Sequence, residues 1–253
     1  MALHAWRRPS DPTVYGVVEI DAQAAQAHVA KLRAESGEHV TLTHLVGKAA
    51  ALAIAEQPEV NAIVRRGRIY VRDSVDVFFQ VAFEGGQNLA GAKVDRADRK
   101  SIVEIAAELA RRVERIRDEK DDATQESARR LSELPPPLLR LAMWLGEMLT
   151  YDLDLDLSRW GVPYDAFGSC MITNVGGFGL TLGYAPLFPP GRVPFVLTIG
   201  AVHDAPAVVD GRMAIRPMVN IGASFDHRLL DGYHAGKLAS RFREFLLNPE
   251  RLG

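Results

Sequence analysis

His227 lies between Asp226 and Arg228 at the end of an apolar run, with Asp231 four residues on and Gly232 closing the stretch Ser224-Phe225-Asp226-His227-Arg228-Leu229-Leu230-Asp231. A lone histidine near a strand end is usually structural, but these neighbours suit a general base, because an imidazole works as one only when its orientation and tautomer are held. Asp231 is placed to cap a following helix and hold the loop through an ion pair, as an organiser rather than a proton relay. Asp226 and Arg228 support the same loop, and Gly232 permits a backbone path that a β-carbon would obstruct. Other chemistries fit less well. His227, His234 and Asp231 match no metal-ligand spacing. Gly177–Gly183 runs into Tyr184-Ala185-Pro186 instead of opening a helix as a dinucleotide loop does. There is no Gly-x-Ser-x-Gly elbow, and Cys170 reads as a buried strand cysteine rather than a nucleophile.

The rest of the chain bounds what this loop can serve. Of 253 residues, 47% are hydrophobic and 25% charged, the balance of an ordinary globular protein. The net charge of −2 leaves no basic stripe for nucleic acid. One cysteine excludes an intramolecular disulfide and suits a reducing compartment. No apolar run is long enough for a transmembrane segment, and residues 1–20 have no apolar core of a signal peptide, so the expected location is cytoplasmic.

The elements that must position the loop follow from periodicity. Thr13–Ile20 is β-branched and reads as a strand. A helix over Asp21–Ser36, capped by Asp21 and stopped at Gly37, comes next, then an alanine-rich helix over Thr43–Gln57 capped by Thr41 or Thr43. Asn61–Arg72 predicts a hairpin turning at Arg66-Gly67, Val75–Phe83 a buried strand, and Arg99–Asp118 an amphipathic helix. Glu119–Arg130 is charged and solvated. Pro135-Pro136-Pro137 introduces an apolar helix, Leu138–Tyr151, and Tyr151–Leu157 alternates with a period of two, as a strand does. Strand signals return at Ser169–Val175, Pro194–Val202, Ala207–Val209 and Met213–Phe225, before a last helix over Tyr233–Leu247. This is one α/β domain over residues 1–253, with an inserted helical element at about 119–165.

Four segments in order resemble the catalytic domain of the 2-oxoacid dehydrogenase dihydrolipoyl acyltransferases, in the chloramphenicol acetyltransferase-like superfamily. They are Thr43–Asn61 with its Pro58-Glu59-Val60-Asn61-Ala62 turn, Leu89–Ile102, Met171–Gly177, and the histidine loop, which is similar to the family's Ser-Phe-Asp-His-Arg-x-x-Asp-Gly. The resemblance implies an α/β fold, a two-layer sandwich of a mixed sheet packed with helices. It also implies transfer of an acyl group between a coenzyme A thioester and a thiol (dihydrolipoyl) or small acceptor, through a ternary complex. His227 would then be the base and Thr173, in Met171-Ile172-Thr173-Asn174, the oxyanion donor, with Asp231 completing the catalytic set and Asn174, Asp226, Arg228 and Gly232 supporting it. Coenzyme A or acyl-CoA is the implied cosubstrate. The implied assembly is a homotrimer in which one subunit's histidine meets its neighbour's hydroxyl.

Departures from the family shape further expectations. The core begins near Met1, so no lipoyl or subunit-binding domain is expected, no covalent lipoyl group on this chain, and a lipoylated carrier or 2-oxoacid dehydrogenase components would act in trans. The ending Pro249-Glu250-Arg251-Leu252-Gly253 lacks the family's apolar tail, which predicts an isolated trimer. Ala90-Gly91-Ala92-Lys93 replaces the family's Val-Val-Pro-Val and is expected to alter a channel wall. The inserted helix reads first as extra core or trimer contact, next as a lid or lining of the acyl site, and third as a docking element for a partner or membrane surface. A catalytically weak core acting as a scaffold is the alternative function; the combination of His227, Thr173 and Asp231 weighs against it.

Overall fold

The computed structural model describes residues 12–83, 88–119, 135–156, 158 and 164–253, with backbone alone at 82–83, 88–90 and 116–119. Its strands are β1 (Thr13–Asp21), β2 (Ala62–Arg65), β3 (Arg68–Val71), β4 (Val77–Phe83), β5 (Asn88–Val94), β6 (Cys170–Asn174), β7 (Phe195–Ile199), β8 (His203–Val209) and β9 (Arg212–Asp226). The helices are α1 (Gln23–Ser36), α2 (Leu42–Ala55), α3 (Ile102–Glu119), α4 (Pro136–Glu147) and α5 (Gly232–Leu247). Seven strands form one sheet in the order β1-β9-β7-β6-β4-β5, with β8 added along the first half of β9; β2 and β3 make the separate hairpin. The β4–β6 and β6–β7 pairs are parallel and the others antiparallel. The expected α/β sandwich with a mixed sheet is therefore what the chain forms.

β9 is the spine. Its 15 residues pair with β8 in the first half, then with β1 on one side and β7 on the other. Side chains alternate faces along a strand, so Ile221, Ala223 and Phe225 point to the helices while Gly222, Ser224 and Asp226 point away. The main core lies on the helix side, joining Ile172, Leu197, Ile199 and Ile221 to α2, α3 and α5. A smaller cluster of Met171, Val193 and Val196 lies on the other face under Phe167 and Leu187.

α2 is the most deeply placed helix, with ten buried residues including His44 and Lys48. Gly47 lets it approach the sheet, because a β-carbon there would lie 2.3 Å from the Phe79 ring. On the opposite face Gly222 has the same role: its β-carbon would lie 2.1 Å from the Gly183 carbonyl oxygen. That contact presses the loop after β6 against the sheet.

Several expectations need correction. Asp21 is not the cap residue of α1, a position Ala22 holds, although its carboxylate accepts the Gln23 N–H at 3.0 Å and Gly37 ends the helix in the left-handed region. β5 carried no strand signal, because Gly91 and Ala92 have low strand propensity; Gly91 is required there, since a β-carbon would lie 2.0 Å from the Phe78 ring. Lys93 is an ion-pair residue, 3.3 Å from Asp76 and 3.4 Å from Asp95. The alternation after Tyr151 forms no strand over the described residues 151–156. Met148–Asp152 forms a π-helical turn, after which Asp154 pairs with Arg65 at 2.5 Å. Carboxylates directed to separate arginines leave no straight edge for pairing; Leu157 lies outside the described residues, as does 120–130 of the charged stretch. Finally, α4 adds nothing to the core, since none of its residues is buried.

Replacing Gly47 by Ala should destabilise the protein by about 1–3 kcal/mol, the usual cost of overpacking. A lowered denaturant midpoint with an unchanged slope is the expected measurement.

Candidate active site

β9 ends by handing its last backbone groups to neighbouring loops. The Asp226 N–H donates to the Pro194 carbonyl at 2.8 Å and the His227 N–H to the Pro12 carbonyl at 3.0 Å. The chain then turns back on the Asp226 carbonyl, which accepts the Leu229 and Leu230 N–H groups at 2.9 and 3.0 Å. The buried Asp226 carboxylate accepts the Arg228 N–H at 2.9 Å and the Arg228 guanidinium at 2.6–3.1 Å. His227, between them, is exposed, and its ring makes no hydrogen bond among the described residues.

Asp231 is the N-cap of α5. Its carboxylate accepts the His234 N–H at 3.0 Å and meets His234 Nδ1 at 2.7 Å, contacts that hold it below the usual carboxylate range. No hydrogen bond joins Asp231 to His227 among the described residues, so Asp231 positions the helix end. The expectation for Gly232 fails: its φ is not in the left-handed region, and a β-carbon there would meet nothing within 4 Å. The tight turn is made at Asp226 instead.

Thr173 is half-buried near the end of β6, on the helix-free face with Met171. Asn174, on the opposite face, donates to Thr43 Oγ1 at 3.0 Å and accepts the Gly176 N–H at 2.8 Å, tying α2 to the loop after β6. The register separates Thr173 from His227. Thr173 is opposite Thr198, and Thr198 is opposite Gly222, five residues before His227. At about 3.3 Å per residue that is roughly 16 Å along the sheet, plus two strand spacings of about 4.8 Å across it. Within one chain the two residues stand at opposite ends of the sheet.

Sequence reasoning missed His44, beside Asn174. With Thr41, Thr43, Gln80, Asn174 and others it lines a cleft of about 390 Å³. Its Nδ1 accepts the Thr41 N–H at 3.0 Å, so the ring proton belongs on Nε2 when neutral. Burial, then the nearby His39 and Arg33, lowers its pKa to about 4. The available signal was Thr41-Leu42-Thr43-His44, a helix start with a side-chain acceptor three residues past the cap. Cys170 is fully buried and its pKa is pushed up to about 12, so the thiol is inert.

A mixed sheet covered by helices on one face, with a histidine loop at the end of its longest strand, defines the class, and the comparisons narrow it. The family model described as 2-oxoacid dehydrogenases acyltransferase (catalytic domain) matches residues 6–128 and 166–253. The chain belongs to that family. The dihydrolipoyllysine-residue succinyltransferase component of the 2-oxoglutarate dehydrogenase complex from Bartonella vinsonii subsp. berkhoffii is 28% identical over 205 residues, 81% of this chain and 39% of that protein. A probable dihydrolipoamide acetyltransferase from Listeria monocytogenes superposes with a TM-score of 0.69 at 21% identity, over 96% of this chain and 86% of the other. A chloramphenicol acetyltransferase shares the fold at 12% identity, with a TM-score of 0.52 over 93% and 89% of the two chains. The chain spans less than half the length of the curated relatives it matches. No described helix is long and apolar enough to cross a membrane.

His44 gives a pH test of the cleft. Its folded-state pKa lies below the unfolded value of about 6.5, so the unfolded chain takes up the proton first and stability is lost as pH falls from about 6.5 toward 4. Between pH 7 and pH 5 the native protein should lose about 2 kcal/mol on this account. Urea titrations of His44→Asn should show that part of the acid loss removed.

Proposed function

We propose that this chain is a coenzyme A-dependent acyltransferase whose active sites form between protomers. The observation that carries the reading is the separation of His227 from Thr173. No single chain brings them together, yet a second copy can present its β6 end to the exposed His227. In a cyclic trimer each interface joins two different faces, so three equivalent sites close the ring. Val208, Met213 and Ile215, each at least 73% exposed on the β8–β9 hairpin, supply apolar surface suited to such contacts.

The chemistry follows from the groups available. His227 accepts the proton of the acceptor thiol, whose free pKa of about 8.5 leaves little thiolate near neutrality. The sulfur attacks the thioester carbonyl, and the neighbour's Thr173 hydroxyl donates to the tetrahedral oxyanion. Collapse expels coenzyme A as a thiolate, which recovers the proton from the imidazolium. No acyl group is carried on the protein, because both thiols occupy one ternary complex. The Asp226–Arg228 pair and the Asp231 cap act by holding the loop. The acceptor in this reading is a dihydrolipoyl group, and the buried reduced cysteine suits the cytoplasm.

His227→Ala should lower turnover at least about a hundredfold without changing the size of the trimer in solution. Thr173→Ala should be similarly impaired. Trimers assembled from an equal mixture of the two variants should regain about a quarter of wild-type activity, because one interface in four unites an intact histidine with an intact threonine. Rates from thiol release with acyl-CoA and dihydrolipoamide decide the matter; mixed trimers no more active than either variant alone would exclude a shared site.

A further inference from the structure

The family model does not match residues 129–165, and the described part of that segment, 135–156, 158 and 164–165, is held against the rest of the chain. Its described portion is anchored by side chains to the core. Arg192 donates to Asp152 at 2.7 Å, lies 3.9 Å from Glu147 and stacks 5.0 Å above the Tyr151 ring. Arg72 pairs with Asp165 at 2.7 Å, and Arg65 reaches Asp154 and Tyr164. These contacts set Asp152 against the β2–β3 turn, where it accepts the Arg66 N–H at 3.4 Å. These residues help line a cleft of about 580 Å³, whose walls include Arg66, Asp152, Phe188, Arg192, Asp226 and Arg228. The last two flank His227, so the inserted segment, through Asp152, and the histidine loop line one hollow.

The polar groups in that hollow have surplus donors. Asp152 is engaged by Arg192 and the Arg66 backbone, and Asp226 by Arg228. The Arg66 guanidinium, exposed at the turn, has no carboxylate within ion-pair distance among the described residues. Arg192 uses Nη1 and Nη2 but not Nε, and Arg228 uses Nε and Nη2 but not Nη1. Three guanidinium groups with unspent N–H donors lining one cleft suit the oxygens of a carboxylate or phosphate. Phe188 and Leu187 supply apolar contact beside them.

We propose that this cleft is a receptor for an oxyanion carried by the substrate, with Arg66 as its main cation and the inserted segment as the wall that places it. The inference rests on the acyl-transfer reading for its choice of substrate: the oxyanion is either the terminal carboxylate of an acidic acyl group or a phosphate of the coenzyme A moiety. The site itself is a statement about anion binding and is tested without turnover.

Calorimetric titration of the whole protein with succinate and, separately, with inorganic pyrophosphate reads it directly. At least one of the two should bind saturably, and Arg66→Asn should weaken that binding at least about fivefold. Asparagine is chosen because residue 66 has φ of 48°, which Asn tolerates. Arg66→Lys should recover part of the affinity. Succinate binding assigns the cleft to an acidic acyl group, and pyrophosphate binding assigns it to the nucleotide. Should neither bind, or should Arg66→Asn bind as tightly as wild type, the proposal is overturned. Kinetics then separate it from the functional reading. In an active enzyme Arg66→Asn should raise KM for the matching substrate with kcat unchanged. A wild-type protein that binds the anion but transfers no acyl group would refute the acyltransferase reading and leave the cleft standing.

Discussion

Strand pairing does not allow sliding by a fraction of a residue, and that rigidity governs this protein. Once β9 is bonded to β1 and β7, and β7 to β6, the positions of His227 and Thr173 are set to within the flexibility of a single loop. A register shift by one residue would turn Ile221 and Phe225 out of the core, so burial enforces the separation of the two reactive residues. The proposed site between copies follows from that separation within one sheet.

Around that sheet the polar groups are arranged to hold loops rather than to relay protons. Asp226 is spent on Arg228 and on its own turn, Asp231 on the end of α5, and Asn174 on α2 and the loop after β6. Fixed loops matter because a general base is effective only within hydrogen-bond reach of its proton, and a small displacement removes it. Arginines at 65, 72 and 192 do comparable work for the inserted segment, whose helix α4 buries none of its residues. Its attachment through partly buried ion pairs leaves the apolar side chains of α4 facing outward, with Trp144 58% exposed.

Much of this was legible in the residues. Alternation and β-branching located β1, β6, β7 and β9, a more uniformly apolar run located β4, and helical periodicity located α1, α2, α3 and α5. Arg66-Gly67 marked its hairpin because both residues adopt positive φ. Asp231 read correctly as a cap. β5 was not visible, since its small residues make room for the Phe78 ring, a neighbour no local pattern names. The alternation after Tyr151 misled because aspartates that seek arginines far away in sequence imitate a polar strand face. Gly232 was given a steric role that belongs to nothing in the packed structure.

By itself, the sequence determined most of the elements, the family and the identity of the histidine loop, since these depend on short-range periodicity and on residues adjacent in the chain. Only the tertiary structure decided where those residues stand relative to one another: His227 and Thr173 at opposite ends of one sheet, Asp231 turned to His234, and Asp152 brought against Arg66 from 86 positions away. Distances between segments come from strand register and from the burial of faces against each other, and neither is carried by any single stretch of residues.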